Sequence, residues 1–118
     1  MNFASSVLRA LGLPPLGFIS SLLTFYIHAA IILGKFPVYG NPDPKTLDIY
    51  AFYSPLIHGT LAIWLYSMPV ALILSIGYAT SAIMNRGSIT WDPLIKVTLI
   101  HLLAIALFIS SIAEWFAD

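Results

Sequence analysis

The 118-residue sequence contains no cysteine, and only 8% of its residues carry a charged side chain. The missing cysteine excludes a disulfide framework, a thiolate metal site and a cysteine nucleophile. Five basic and five acidic residues cancel, and no cluster of Lys or Arg occurs. The electrostatic footprint of a nucleic-acid binder is therefore missing too, and nucleic acid is not expected as a partner.

What remains is apolar. Soluble domains carry about 25% charged and 45–50% apolar residues, whereas this chain is 59% hydrophobic with a mean hydropathy of +0.92. A soluble fold of this length hides only about two-thirds of the surface its unfolded chain exposes, so a large apolar patch would face water. Lipid is the simpler solvent. The composition predicts an all-α, polytopic membrane protein whose first partner is the bilayer.

Charges divide the chain. None occurs between Arg9 and Lys35, between Asp48 and Arg86, or between Lys96 and Glu114. Because about 20 apolar residues cross the hydrocarbon core, each gap predicts one transmembrane helix. The expected spans are 16–34, 55–84 and 93–116, joined by an outer loop 35–54 and an inner loop 85–92. Together they form one small three-helix bundle over residues 1–118. Proline, tolerated in a first helical turn, marks each start: Pro15, Pro55 with Ser54 as its cap, and Pro93 with Asp92 as its cap. Gly34 and Gly87 suit the ends of the first two spans. Pro69 predicts a kink in the second, with Ser67 or a neighbouring helix as the source of a donor to the carbonyl it frees.

Residues 3–12 predict a short interfacial helix with Phe3, Val7, Leu8 and Leu11 on one face and Arg9 reaching headgroups. Pro14, Pro15 and the long apolar run after them argue for a retained segment rather than a cleaved signal. The outer loop holds a GNPDP turn and Tyr39, and Asp43 is placed to cap a short helix from Pro44. Arg9, Arg86 and Lys96 share one side against Lys35 and Lys45. By the positive-inside rule this predicts a cytoplasmic N-terminus, in a bacterial inner membrane.

Small residues let helices approach closely in lipid. Ser67, Ala71, Ser75 and Ala79, flanked by Gly77 and Ser81, form such a line. Ser20, Thr24 and His28 on the first span, and Ala106, Ser110 and Glu114 on the third, are expected to meet it in the interior.

Each span carries one histidine: His28, His58 and His101. Ionisable groups within a membrane are functional candidates, and imidazole binds haem iron or other metals. The spacing fits no His-x-x-His or His-Glu-x-x-His motif, and no metal site is expected. From the rise of a helix, His28 and His101 differ by roughly 10 Å in depth, which disfavours one shared ligand. The leading expectation is a non-enzymatic multi-pass protein without a cofactor, working as a homo-oligomer or as an accessory subunit of a membrane complex. The alternative is a redox anchor that binds haem b or quinone through His28 or His101. Size and span count are similar to the membrane-anchor subunits of succinate dehydrogenase and fumarate reductase. The chain lacks the His-containing signature of the haem anchors, and no family is assigned from its residues.

Overall fold

The computed structural model describes residues 3–38, 43–85 and 90–117. Its regular elements are helices: α1 (Phe3–Ala10), α2 (Leu13–Leu33), a one-turn 3-10 helix (Pro44–Thr46), α3 (Tyr50–Met84), α4 (Asp92–Phe108) and α5 (Ser111–Phe116). The molecule measures 54 × 21 × 20 Å. The 35 residues of α3 span roughly 52 Å at 1.5 Å per residue, so this one helix sets the long axis. α2 packs against both α3 and α4, which touch each other little, while α1 docks on α4 and α3. Two segments, Ser5–Leu33 and Tyr50–Met84, are long and apolar enough to cross a membrane.

Local chemistry explains the ends, several of which differ from the sequence reading. Pro14 and Pro15 have no N–H, so the carbonyls of Ala10 and Leu11 lose their usual partners and the helix breaks between α1 and α2. Gly12 bridges the break, donating to the Arg9 carbonyl at 3.0 Å and accepting from Leu16 at 3.2 Å. α2 therefore starts at Leu13, with both prolines in its first turn, and not at residue 16. At its far end Gly34 has φ +73° and donates to Ala30, the left-handed cap expected there. α1 is helical as expected, but only part of its apolar face is used: Leu8 is buried and Phe3 is 85% exposed.

Ser54 does not cap the second long helix. α3 begins at Tyr50 and runs through Pro55, while Ser54 instead offers its carbonyl and hydroxyl to His58 Nδ1 at 2.9 and 3.1 Å. Packing of Tyr50 and Tyr53 against Phe25 offsets the bond that Pro55 cannot make. The helix also runs through Pro69, and Ser67 donates to the Trp64 carbonyl at 2.9 Å rather than to the one Pro69 frees. It ends at Met84, where the backbone and side-chain amides of Asn85 both donate to Ser81. Gly87, Arg86, Tyr39 and the turn at residues 40–42 lie outside the described residues. The expected cap at Asp43 is present, its carboxylate accepting from Lys45 N–H at 3.0 Å.

The stretch 93–116 is not one helix. α4 ends at Phe108, and Ser110 adopts an extended ψ of 168° before α5. The Ser110 hydroxyl donates back to the Leu107 carbonyl, a local bond that competes with helix continuation. The turn aims Trp115 and Phe116 into the bundle, where both are buried. Asp92 is the first residue of α4 and not its cap, which is Trp91. Its carboxylate still faces the positive helix end and meets Lys96 at 3.1 Å and Arg9 at 3.6 Å.

The packing follows a heptad. Pro15, Phe18, Leu22, Phe25 and Ala29 of α2 are buried at steps of three and four. Ile57, Trp64, Ala71 and Tyr78 of α3 are buried at steps of seven, and Pro93, Val97 and Ala104 of α4 fit the same period. A period of 3.5 is that of left-handed helix packing. The expected polar lines do not form the interior: Ser20, Thr24, His28, Ala106 and Glu114 are all exposed, and of the small-residue line on α3 only Ala71 is buried. Thr24 explains why, since its hydroxyl donates to the Ser20 carbonyl at 2.6 Å and needs no partner from another helix. Aromatic rings take the interior instead. One close approach does use a small residue, for a Cβ on Gly17 would meet Thr60 Cγ2 at 3.1 Å.

Two substitutions test this packing. Phe25→Ala is expected to destabilise the fold by about 3–5 kcal/mol through the cavity it leaves. Gly17→Val is expected to cost about 1–3 kcal/mol by overpacking against Thr60. Both can be read by reversible unfolding in mixed micelles against Ile31→Ala, which removes a side chain 74% exposed and should change stability by less than about 0.5 kcal/mol.

Candidate functional site

Three places gather the groups able to do more than pack. The first is the end of the bundle where α2 meets the start of α3 and all of α5. Phe25 is fully buried there, with ring centroids 5.3 Å from Tyr53, 5.3 Å from Trp115, 5.7 Å from Phe116 and 6.1 Å from Tyr50. Two histidines border this cluster. His28 Nδ1 lies 3.0 Å from the Tyr53 hydroxyl, and the His58 ring sits 5.2 Å from that of Phe116. A cavity of about 270 Å³ opens at the α4–α5 break, bordered by His58, Glu114, Phe18 and Phe108. Glu114 has no ion-pair partner among the described residues.

The second place is mid-bundle. Trp64 stacks on Phe18 at 5.5 Å and lies edge-on to Phe108 at 6.3 Å. The His101 ring is 6.4 Å from the Trp64 ring. His101 Nδ1 is 2.9 Å from the Val97 carbonyl, a contact that requires an N–H on that nitrogen, so in the neutral ring Nε2 is the acceptor. Nε2 is buried without a hydrogen-bond partner, as is the Trp64 Nε1–H. Beside His101 a lateral groove of about 540 Å³ separates α3 from α4. It exists because α2 holds the two helices apart.

The third place is the opposite end, where Arg9 and Lys96 share the Asp92 carboxylate and Tyr78 donates to the Thr90 carbonyl at 2.6 Å. Leu8, Tyr78 and Val97 pack together beneath it. These contacts tie α1 and the start of α4 to the end of α3.

The geometry keeps His28 and His101 apart. His28 contacts α3 at Tyr53 and His101 contacts it at Trp64. Those positions are eleven residues apart on one helix, or roughly 16 Å at 1.5 Å per residue. No group of three His, Cys, Asp or Glu side chains able to hold a metal occurs among the described residues. Sequence reasoning found the histidines but missed their partners Tyr53 and Trp64. Only Trp64 had a readable signal, as the single tryptophan in the middle of a charge-free run. Compared with known protein families, curated proteins and solved structures, the chain matches none.

The separation carries an expected outcome. Protein purified in mild detergent and supplied with haem b should give no six-coordinate, bis-histidine absorption spectrum. A bis-histidine spectrum lost equally in His28→Ala and His101→Ala would contradict the geometry.

Proposed function

We propose that the chain is a small integral membrane protein of three helical passes, working without chemistry of its own as a structural or accessory subunit of a membrane assembly. The observation that carries this reading is what the long helices show to their surroundings. In a soluble protein an apolar helix of this length is mostly buried, yet the most apolar stretch of α3 is only 11% buried and that of α1–α2 only 22%. Ile63, Tyr66, Val70, Ile73 and Ile76 of α3 all face outward. The charges sit at the ends: Arg9, Asp92 and Lys96 at one, Lys35, Asp43, Lys45 and Asp48 at the other. Lipid is the solvent matched to such a surface.

In this reading the third pass is α4, whose 17 residues cover roughly 25 Å of a hydrocarbon core of about 30 Å, with α5 completing it near the far surface. α3 is longer than the core, so its ends project into the headgroup regions or the helix tilts. The ring cluster around Phe25, with Tyr26, Tyr50 and Trp115, falls at the depth of an aromatic belt. Arg9, Arg86 and Lys96 outnumber Lys35 and Lys45, which supports an N-terminus on the cytoplasmic side of the proposed membrane. In the same proposal the chain works as copies of itself or within a larger complex.

Because the chain has no cysteine, topology can be mapped with single introduced ones. Cysteine at Ser6 or Lys96 should react with a membrane-impermeant maleimide only after the cells are permeabilised. Cysteine at Thr46 should react in intact cells, and cysteine at Ile73 in neither case. Equal labelling of Ser6Cys and Thr46Cys in intact cells would refute the three-pass arrangement, and release of the protein by alkaline carbonate would refute membrane integration.

A further inference from the structure

The cavity at the α4–α5 break joins two unanswered acceptors to an aromatic wall. His58 and Glu114 both line it, and both residues are exposed, so a ligand reaches them from outside. His58 Nδ1 lies 2.9 Å from the Ser54 carbonyl, which only accepts. Nδ1 therefore carries the proton, and in the neutral ring Nε2 is an acceptor. Neither that Nε2 nor the Glu114 carboxylate has a hydrogen-bond partner among the described residues. Phe18, Leu61, Phe108 and Phe116 form the apolar lining, and the His58 ring stands 5.2 Å from the Phe116 ring. This end of the bundle also carries more acid than base, with Asp43, Asp48 and Glu114 against Lys35 and Lys45 among the described residues. The other end is the reverse, with Arg9 and Lys96 against Asp92.

We infer that this cavity binds a primary ammonium group carried on a compact apolar body, of the arylalkylamine kind. The N–H groups are directed to Glu114 and to His58 Nε2, and the ring lies against Phe18, Phe108 and Phe116. The inference goes beyond the subunit role proposed above, since it gives the chain a small-molecule ligand. A carboxylate and an unprotonated imidazole nitrogen accept only, so the ligand head must donate. The carboxylate charge then selects a cation among donors, because a charge-assisted hydrogen bond is roughly twice as strong as a neutral one. The faces of the aromatic rings attract the same charge. A quaternary ammonium has the charge without an N–H, and an alcohol has a donor without the charge, so each satisfies only half of the site. The volume of about 270 Å³ lies just below the roughly 300–1,000 Å³ of small-molecule sites. It admits a ring on a short chain and not the two acyl chains of a phospholipid. Phosphatidylethanolamine presents the same ammonium, but its phosphate would set a second negative charge beside Glu114.

The test uses the full chain in nanodiscs of phosphatidylcholine, a lipid without a primary amine. These are titrated with para-fluorophenethylamine and read by fluorine NMR line broadening, with nanodiscs lacking the chain as the blank. Binding should saturate. The N,N,N-trimethyl derivative and para-fluorophenylethanol should each bind at least about tenfold more weakly, a factor that corresponds to about 1.4 kcal/mol. Replacing phosphatidylcholine by phosphatidylethanolamine should leave the affinity for the amine unchanged.

Three variants locate the ligand. Glu114→Gln keeps the shape and removes the charge, and His58→Phe keeps a ring beside Phe116 and removes Nε2. Both positions are exposed, so the packed core is left alone. Each should lower the affinity by about tenfold, the loss of one charge-assisted or imidazole hydrogen bond, with an unchanged helical circular dichroism spectrum. Ala113→Leu leaves both polar groups in place and fills the cavity that Ala113 lines. It should abolish saturable binding, which separates a ligand seated in the cavity from ions gathered at the surface. Should Ala113→Leu fold poorly, the two exposed variants carry the test. Equal binding of the trimethyl derivative or the alcohol would overturn the inference, as would full affinity in Glu114→Gln or in folded Ala113→Leu. Displacement of the amine by phosphatidylethanolamine would give the site to a resident headgroup and overturn it too. All these failures leave the maleimide topology map unchanged, so they are distinct from failure of the membrane reading.

Discussion

Burial of the Phe25 ring among Tyr50, Tyr53, Trp115 and Phe116 is the interaction on which the arrangement of this chain depends. In the proposed lipid setting apolar attraction does not gather helices, and shape, dispersion and ring geometry do so instead. Offset and edge-on ring pairs add about 0.5–1.5 kcal/mol each beyond the area they bury. Phe25 joins α2 to α3 and α5 at once. Without it, the bend at Ser110 would carry Trp115 and Phe116 into no pocket, and the early start of α3 at Tyr50 would have nothing to offset Pro55. A second ring group, Phe18 with Trp64 and Phe108, repeats the arrangement one heptad earlier on α2.

The polar groups obey the same constraint. Ser21, Thr24, Thr60, Ser67 and Thr80 return their hydroxyls to carbonyls of their own helices. Each satisfies itself and leaves the helix surface effectively apolar. His28, His58 and His101 also bond within the chain through Nδ1. Beside the groove this economy fails. There Pro69 frees a carbonyl and His101 keeps one nitrogen unmatched, so the region least able to satisfy itself is also the one where α3 and α4 stand apart.

Much of the plan was legible in the sequence because its signals are local. Gaps between charges gave the long apolar helices, Gly34 gave a helix end through its left-handed φ, and Asp43 gave a cap through its place before Pro44. The faces were not legible. Every side of α2 and α3 is apolar, so no contrast separates inward from outward residues, and the heptad emerges only from packing. Spacing small residues into lines misassigned Ser20, Thr24 and His28 to the interior, because hydroxyls that satisfy themselves can face either way. The break at Ile109–Ser110 was equally silent, since Ile-Ser-Ser contains neither proline nor glycine and the cause is burial of Trp115 and Phe116. Proline was read as a start at residue 55 when it is an interior residue, tolerated because aromatic packing holds the preceding turn.

The central claim is a helix bundle with rings inside and apolar side chains outside, turned toward lipid. A spin-label scan of α3 from residue 57 to residue 80 in liposomes tests it most directly, with each position compared for accessibility to oxygen and to a water-soluble nickel chelate. The account predicts oxygen accessibility above that of the nickel chelate throughout, oscillating with a period near 3.5 and with minima at Ile57, Trp64, Ala71 and Tyr78. A scan in which the nickel chelate reaches residues 63, 66, 70 and 73 as readily as oxygen does, or in which the oscillation is absent, would contradict it.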